Sequence, residues 1–210
     1  MMFHCQTVSG VLCYIPTTEN NFISGNSTLP GPSKELILKH VTLVHGTQNY
    51  TCISNLTRSR AIPNGANAII LSGIPFLNSL GYPDVFNNIP HLLVSLSPMF
   101  VEVLVDVNSI GRLHFDTPST ASFDIPGFGT FQGTVTDTVS APWSASVGQT
   151  GDRATDWVAL TTTANNSTLK QVYCVQTAGG KPPENCAGEP NQIAVVYAAQ
   201  CWIYGIPEVA

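Results

Sequence analysis

From Glu35 onward the chain keeps returning to short stretches in which apolar and polar residues alternate, or in which β-branched and aromatic residues crowd together. They are "ELILKHVTL" (35–43), "NAIILSG" (67–73), "FVEVLVDV" (100–107), "TFQGTVTD" (130–137), "DWVALTT" (156–162), "LKQVYCVQT" (169–177) and "QIAVVYAAQCWIYG" (192–205). Gly, Pro or Asn bounds each one, which is the pattern of β-strands. No segment carries a sustained 3.6-residue stripe with caps, and Pro63, Pro75, Pro83, Pro90 and Pro98 stand where a long helix would have to run. The longest apolar stretch, "IPHLLVSLSPMFVEVLVDV" (89–107), is interrupted by Pro98, Glu102 and Asp106, and its second half alternates with period two. It reads as a strand rather than a membrane-spanning helix. The expected fold is therefore all-β, a single-domain antiparallel sandwich or barrel with long loops over 29–210. Residues 1–28 lack a clear pattern and read as an irregular N-terminal extension.

The last two strands flank "AGGKPPENCAGEP", a Gly/Pro-rich connection of the long hairpin type. If they pair antiparallel, Cys174 and Cys201 lie at comparable distances from the loop centre, and a cross-strand disulfide becomes geometrically reasonable. In the final strand Ile193, Val195, Tyr197, Cys201 and Ile203 fall on one face, and Val196, Gln200, Trp202 and Tyr204 on the other. Both faces are apolar, which predicts a central strand.

Composition narrows the class of protein. Charged residues make up 10% and hydrophobic ones 43%, against about a quarter charged in an average soluble chain, and the mean hydropathy is +0.15. The polar surface must then be built from Ser, Thr, Asn and Gln, which suits an extracellular β protein. With a net charge of -5, only eight Lys and Arg, and no basic run, neither nucleic acid nor an anionic membrane is an expected partner. The six cysteines form no CxxC pair and no zinc-type spacing with His, so disulfides are expected rather than a metal. Asn26, Asn49, Asn55, Asn165 and Asn166 each head an Asn-x-Ser/Thr triplet. Together these signals indicate an extracellular protein. The start, "MMFHCQTVSGVLCYIPTTENN", shows no signal peptide, since it has no basic n-region and its apolar run is broken by Ser9, Gly10 and Pro16. The expectation is that the leader lies outside this chain.

"LILKHVTLVHGTQNYTC", "GRLHFDTPSTASFDI", "VYCVQTAGGKPPENC" and "VVYAAQCWIYG", in that order over roughly 29–205, resemble the secreted fungal and bacterial proteins grouped as domain of unknown function 3455. The Gly-Thr-Gln-Asn-Tyr-Thr-Cys stretch and the Thr-Ala-Gly-Gly run before a Cys are its most specific parts. The resemblance implies no established activity. Some relatives bear a malate dehydrogenase label, but this chain has no Gly-x-Gly-x-x-Gly between a strand and a helix and no βαβ rhythm to host one. Two departures matter. Cys174 and Cys201 stand where relatives usually carry a charged or aromatic residue, which strengthens the case that they are mutual partners. The "GHHYFD" type stretch is here "GRLHFD", with only His114 of two adjacent histidines. Cys52 is expected to pair with Cys186, although nothing local makes them neighbours, and Cys5 and Cys13 stay free or join each other.

Candidate chemistry is sparse. Among His40, His45, His91 and His114 only the first two are close in sequence, and five residues apart on an extended chain they face opposite ways, so no metal and no cofactor is expected. Gln48, Asn49, Tyr50, His114 and Asp116 are the candidate pocket. Gln48 and Asn49 are expected to hold loop backbone at its edge, which leaves Asn49 unglycosylated and any sugars on Asn55 and on Asn165 or Asn166. Trp157 and Trp202 read as core, while Trp143 in "SAPWSAS" reads as exposed and available for sugar stacking. Two functions stay open. One is a non-catalytic surface protein holding a small-molecule or glycan ligand. The other is a secreted hydrolase that uses His114 with Asp116 or Asp124.

Overall fold

The structure, a computed structural model, describes residues 23–24, 27–54, 59–73, 83–164 and 167–207. Two short strands, β1 (Ile23–Ser24) and β2 (Ser27–Thr28), pair with each other. Eight further strands follow: β3 (Ile37–Ser54), β4 (Ser59–Ser72), β5 (Ser109–Thr117), β6 (Thr120–Ile125), β7 (Gly129–Val139), β8 (Trp157–Thr162), β9 (Leu169–Gly179) and β10 (Gln192–Gly205). Each pairs antiparallel with the next and β10 closes onto β3, giving an up-and-down barrel. Of the two architectures expected, the barrel is the one formed. Closure leaves no free edge strand in this sheet.

Alternation along the strands sorts the apolar residues into two cores. Val44, Ile70, Leu113, Phe123, Phe131, Leu160, Val172 and Ile203 fill the barrel interior with Cys174 and Cys201. A second cluster lies outside the wall and contains Leu43, Leu71, Trp157, Tyr173, Val175 and Trp202. β10 contributes to both, Tyr197, Ala199, Cys201 and Ile203 inward and Ala198, Trp202 and Tyr204 outward. It is buried on both faces, as a strand apolar on both faces requires.

What covers the outer cluster is a helix that the alternation did not reveal. α1 (Pro83–Ser95) lies over β10, β9 and β3 and buries Phe86, Ile89, Leu93 and Val94, a stripe at i, i+3, i+7 and i+8. Each of these side chains contributes about 1.5–3 kcal/mol by burial. Pro90 hides the stripe in the sequence because it removes the N–H that would bond Phe86 C=O. Here that carbonyl accepts the Gln200 Nε2–H at 2.9 Å, and Gln200 Oε1 accepts from Trp202 Nε1 at 3.2 Å. A fully buried amide thus mends the helix and ties it to β10.

The strand expected over 100–107 is also a helix, α2 (Pro98–Asn108). Ser97 acts as its N-cap residue, its carbonyl accepting from Phe100 and Val101, and Pro98 occupies the first helical position. Glu102 and Asp106, four apart, share one side of that helix. The valines favour a strand, but capping and packing against β4 and β5 decide the outcome.

Candidate functional site

The barrel is filled unevenly. Toward the β6–β7 turn the interior is packed by large side chains, and there the His40 and Phe128 rings meet edge to face at 4.2 Å. The opposite mouth holds a cavity of about 230 Å³, and Val44, Leu113, Phe115, Val158, Cys174 and Ala199 supply its apolar wall. Gln48, Tyr50, Thr155, Asp156, Thr177 and Tyr197 supply its polar groups. An eight-stranded barrel is just wide enough to be filled by side chains or to hold one small ligand, and this one does the first at one end and leaves room for the second at the other.

The mouth is built by the two segments that carry the family resemblance. Gly46 lets β4 approach β3 closely, since a Cβ there would come within 2.0 Å of Asn67 O. Gln48 and Tyr50 follow at the period of two and line the cavity. The Tyr50 hydroxyl donates to Gly180 O at 2.7 Å across 130 residues of sequence. Gly180 itself has φ +96, and a Cβ on it would stand 2.8 Å from Tyr197 Cβ and 3.3 Å from Gln48 Cγ. A bulge in β9 just before it puts Gln176 at φ 50 and brings the buried Thr177 to the cavity wall, where its hydroxyl donates to Thr155 O.

The two disulfides lie at different levels of the barrel. Cys174 and Cys201 are register partners on β9 and β10 with Cα atoms 4.2 Å apart, inside the barrel and at the cavity floor. Cys52, at the end of β3, bonds Cys186 and anchors the β9–β10 loop. These are the two pairs expected from the sequence. Their separations of 27 and 134 residues correspond, on the loop-entropy view, to roughly 3.5 and 5 kcal/mol. Cys5, Cys13, Asn26, Asn55, Asn165 and Asn166 lie outside the described residues.

Electrostatically the cavity is a place of neutral phenols. Burial pushes the Tyr50 hydroxyl well above the usual tyrosine range, with Asp156 and Asp152 adding to the effect. Tyr197 is raised in the same way by burial, with Tyr50 next to it contributing. Its hydroxyl is buried and has no hydrogen-bond partner among the described residues. The Asp156 carboxylate faces the Lys181 ammonium at 3.0 Å. The arrangement offers phenol and hydroxyl groups around an apolar hollow, with the lysine-paired carboxylate of Asp156 at its edge, and among the described residues no nucleophile stands there paired with a base.

The candidate pocket read from the sequence is split by the barrel wall. Gln48 and Tyr50 face in. Asn49, His114 and Asp116 face out, because they alternate with the inward Gln48 and Tyr50 of β3 and the inward Leu113 and Phe115 of β5. The expected loop at 48–50 is strand, and the Asn49 Oδ1 accepts from the Thr47 hydroxyl at 3.1 Å rather than holding loop backbone. His114 forms a surface chain, with Nδ1 at 2.5 Å from Asn67 Oδ1 and Nε2 at 2.9 Å from Asp116 Oδ1. Asp124 accepts instead from Thr130 on β7. Both ring nitrogens are engaged on a half-exposed convex wall, so neither is left to take a proton from a nucleophile. Asp116 and Asp124 both lie within strands, β5 and β6. His40 and His45 pair with inward Ile203 and outward Ala198 respectively, and among the described residues no three His, Cys, Asp or Glu gather where they could hold a metal ion. Trp157 and Trp202 are buried and Trp143 is 84% exposed.

Sequence reasoning missed Tyr197, Thr177, Thr155 and Asp156. Tyr197 carried a signal, a phenol on the inward, aliphatic face of β10. Thr177 carried none, because the bulge that turns it is invisible in a pattern of alternation.

The fold and site together define a disulfide-bonded, eight-stranded antiparallel barrel with a partly open interior. Over residues 32–205 the chain matches, and belongs to, the family described as protein of unknown function DUF3455. No curated protein and no solved structure matches it. No helix among the described residues is long and apolar enough to cross a membrane.

Proposed function

We propose that the protein is an extracellular, non-catalytic binding protein that takes one small neutral molecule into the mouth of its barrel. The observation that carries this reading is the Tyr197 hydroxyl, buried at the cavity without a partner. A buried, unsatisfied hydroxyl costs about 1–3 kcal/mol, and phenylalanine would fill the same space without that cost. Tyr204 and Trp157 carry buried polar atoms of the same kind, but Tyr197 lines the cavity, where a ligand carbonyl or hydroxyl can reach it. Two disulfides fit an oxidising compartment. The hydrolase reading has less support, since its histidine lies on the outer wall with both nitrogens occupied.

The test is the pair of wild type and Tyr197→Phe, titrated with acetophenone, benzyl alcohol and phenol while thermal unfolding is followed. The variant is expected to be as stable as wild type or more so, and to lose the ligand-induced rise in Tm. A variant that is markedly less stable without ligand would show that the hydroxyl has a structural task, and the reading would fall.

A further inference from the structure

The long β7–β8 connection carries a second hollow, of about 200 Å³, lined by Pro142, Trp143, Val147, Arg153, Ala154 and Lys181. Trp143 lines it and is 84% exposed as a residue, while the other two tryptophans are buried at 1% and 0%. The Arg153 guanidinium sits 4.0 Å above the Trp143 ring centroid, within the range of cation–π attraction. A ring covered on one face and still so exposed must present its other face to solvent.

The platform is held in place. Three backbone hydrogen bonds join its loop to the start of the β9–β10 loop: Gly179 N–H to Ser146 O at 3.0 Å, Thr155 N–H to Gly179 O at 2.8 Å, and Lys181 N–H to Arg153 O at 2.9 Å. The Gln149 side chain donates to Leu96 O at the end of α1 at 2.7 Å. An aromatic plate with guanidinium and ammonium donors beside it, all on a pinned loop, is preorganised for a ligand having one apolar face and a hydroxyl rim. Local charge argues against an anion. Arg153 and Lys181 are offset by Asp152, next in sequence to Arg153, and by Asp156, which faces Lys181 at 3.0 Å.

We propose that this hollow is a saccharide-binding site, in which the free face of Trp143 stacks on the C–H face of a neutral pyranose ring and Arg153 and Lys181 donate hydrogen bonds to its hydroxyls. The site is separate from the barrel cavity. The Lys181–Asp156 ion pair stands between them, with Lys181 lining one hollow and Asp156 the other. The inference does not depend on the barrel cavity holding a ligand.

Tryptophan fluorescence reads the site directly, because Trp143 is the exposed emitter among the three. Wild type, Trp143→Ala and Arg153→Ala are titrated with cellohexaose, xylohexaose, chitohexaose and maltohexaose, with oligogalacturonate as the charged comparison. At least one neutral sugar is expected to shift the emission to the blue. The response disappears in Trp143→Ala, and Arg153→Ala raises Kd about tenfold, or about 1.4 kcal/mol. Trp143 is a surface side chain, so its variant is expected to keep the wild-type Tm, and the acetophenone titration of the barrel cavity should be unchanged in it. The proposal is overturned if no neutral sugar alters the emission up to about 10 mM, a concentration already weaker than a 4 kcal/mol interaction. Binding measured calorimetrically that survives Trp143→Ala undiminished also overturns it, as does binding of oligogalacturonate alone.

Discussion

Replacing Gln200 with Leu would separate the barrel from the helix that covers it. The Gln200 side chain is fully buried, donates to the Phe86 carbonyl at 2.9 Å and accepts from Trp202 Nε1 at 3.2 Å. Leucine has a similar size and can do neither. It would leave the Phe86 carbonyl without the donor that replaces the N–H missing from Pro90, and it would take one partner from the Trp202 indole. The stranded carbonyl costs about 1–3 kcal/mol and the lost indole hydrogen bond about 1 kcal/mol. Removing the polar amide recovers part of that, so a net loss of roughly 1–3 kcal/mol is expected. Equilibrium urea unfolding with the disulfides intact measures it. The sharper check is a double-mutant cycle with Pro90→Ala, which returns a backbone N–H to position 90. Pro90→Ala should help Gln200→Leu by at least 1 kcal/mol more than it helps wild type, because only in the leucine variant does the Phe86 carbonyl need the new donor. If the two substitutions are simply additive, the amide does not mend the helix and the reasoning is wrong.

Gly180→Ala should lower stability by about 2 kcal/mol or more, since it combines a positive φ with a Cβ 2.8 Å from that of Tyr197, and it should abolish binding of the cavity probes; wild-type stability in this variant would refute the packing described. Burial holds His45 below its ordinary 6.5, and burial followed by Lys39 does the same to His40. The unfolded chain therefore binds more protons than the folded one below about pH 7, so stability should fall as pH drops from there through the folded-state values. Urea midpoints should decline less steeply over that window in His45→Gln, and equal slopes would remove His45 as a cause. Expressed in a eukaryotic host, the protein should show no glycan on Asn49, which lies mid-sheet between Gly65 and Ala194 with its side-chain oxygen engaged by Thr47. High occupancy in glycopeptide mass spectra would contradict this.

The parts of the fold legible in the sequence were those in which one physical cause dominates. In the last two strands, alternation, a Gly/Pro loop and two cysteines at matched distances all agree, and β9, β10 and the Cys174–Cys201 bond follow. Where causes compete, the pattern misleads. "FNNIPHLLV" contains a helical stripe, but Pro90 argues against a helix unless a donor from elsewhere takes its place, and that donor lies 110 residues further on, a distance no local window covers. "VEVLVDV" has strand propensity and helix capping at once, and here the cap prevails. β5 and β6 are not among the strands expected from the pattern, although Leu113 and Phe115 and then Ala121, Phe123 and Ile125 alternate inward. The polar residues between them, His114, Asp116 and Asp124, drew attention as chemistry when their placement is that of an outward barrel face.

The site was legible only by halves, and the reason lies in the geometry of a strand. A stretch such as "GTQNY" names neighbours in sequence, but a strand sends consecutive side chains to opposite faces, so a pocket is composed of every second residue of several strands. Gln48 and Tyr50 belong with Thr177, Gly180 and Tyr197, which are about 130 to 150 residues away in the chain and reach them through the β10–β3 closure. Closure itself has no local signature. It follows from eight twisted strands of compatible length, and it brings the two most specific segments of the family together at one mouth. The opening between them is a property of pairing rather than of either segment. A variant that weakens the β10–β3 seam should therefore disturb cavity binding before it disturbs the outer wall around His114, which hangs on β4, β5 and β6.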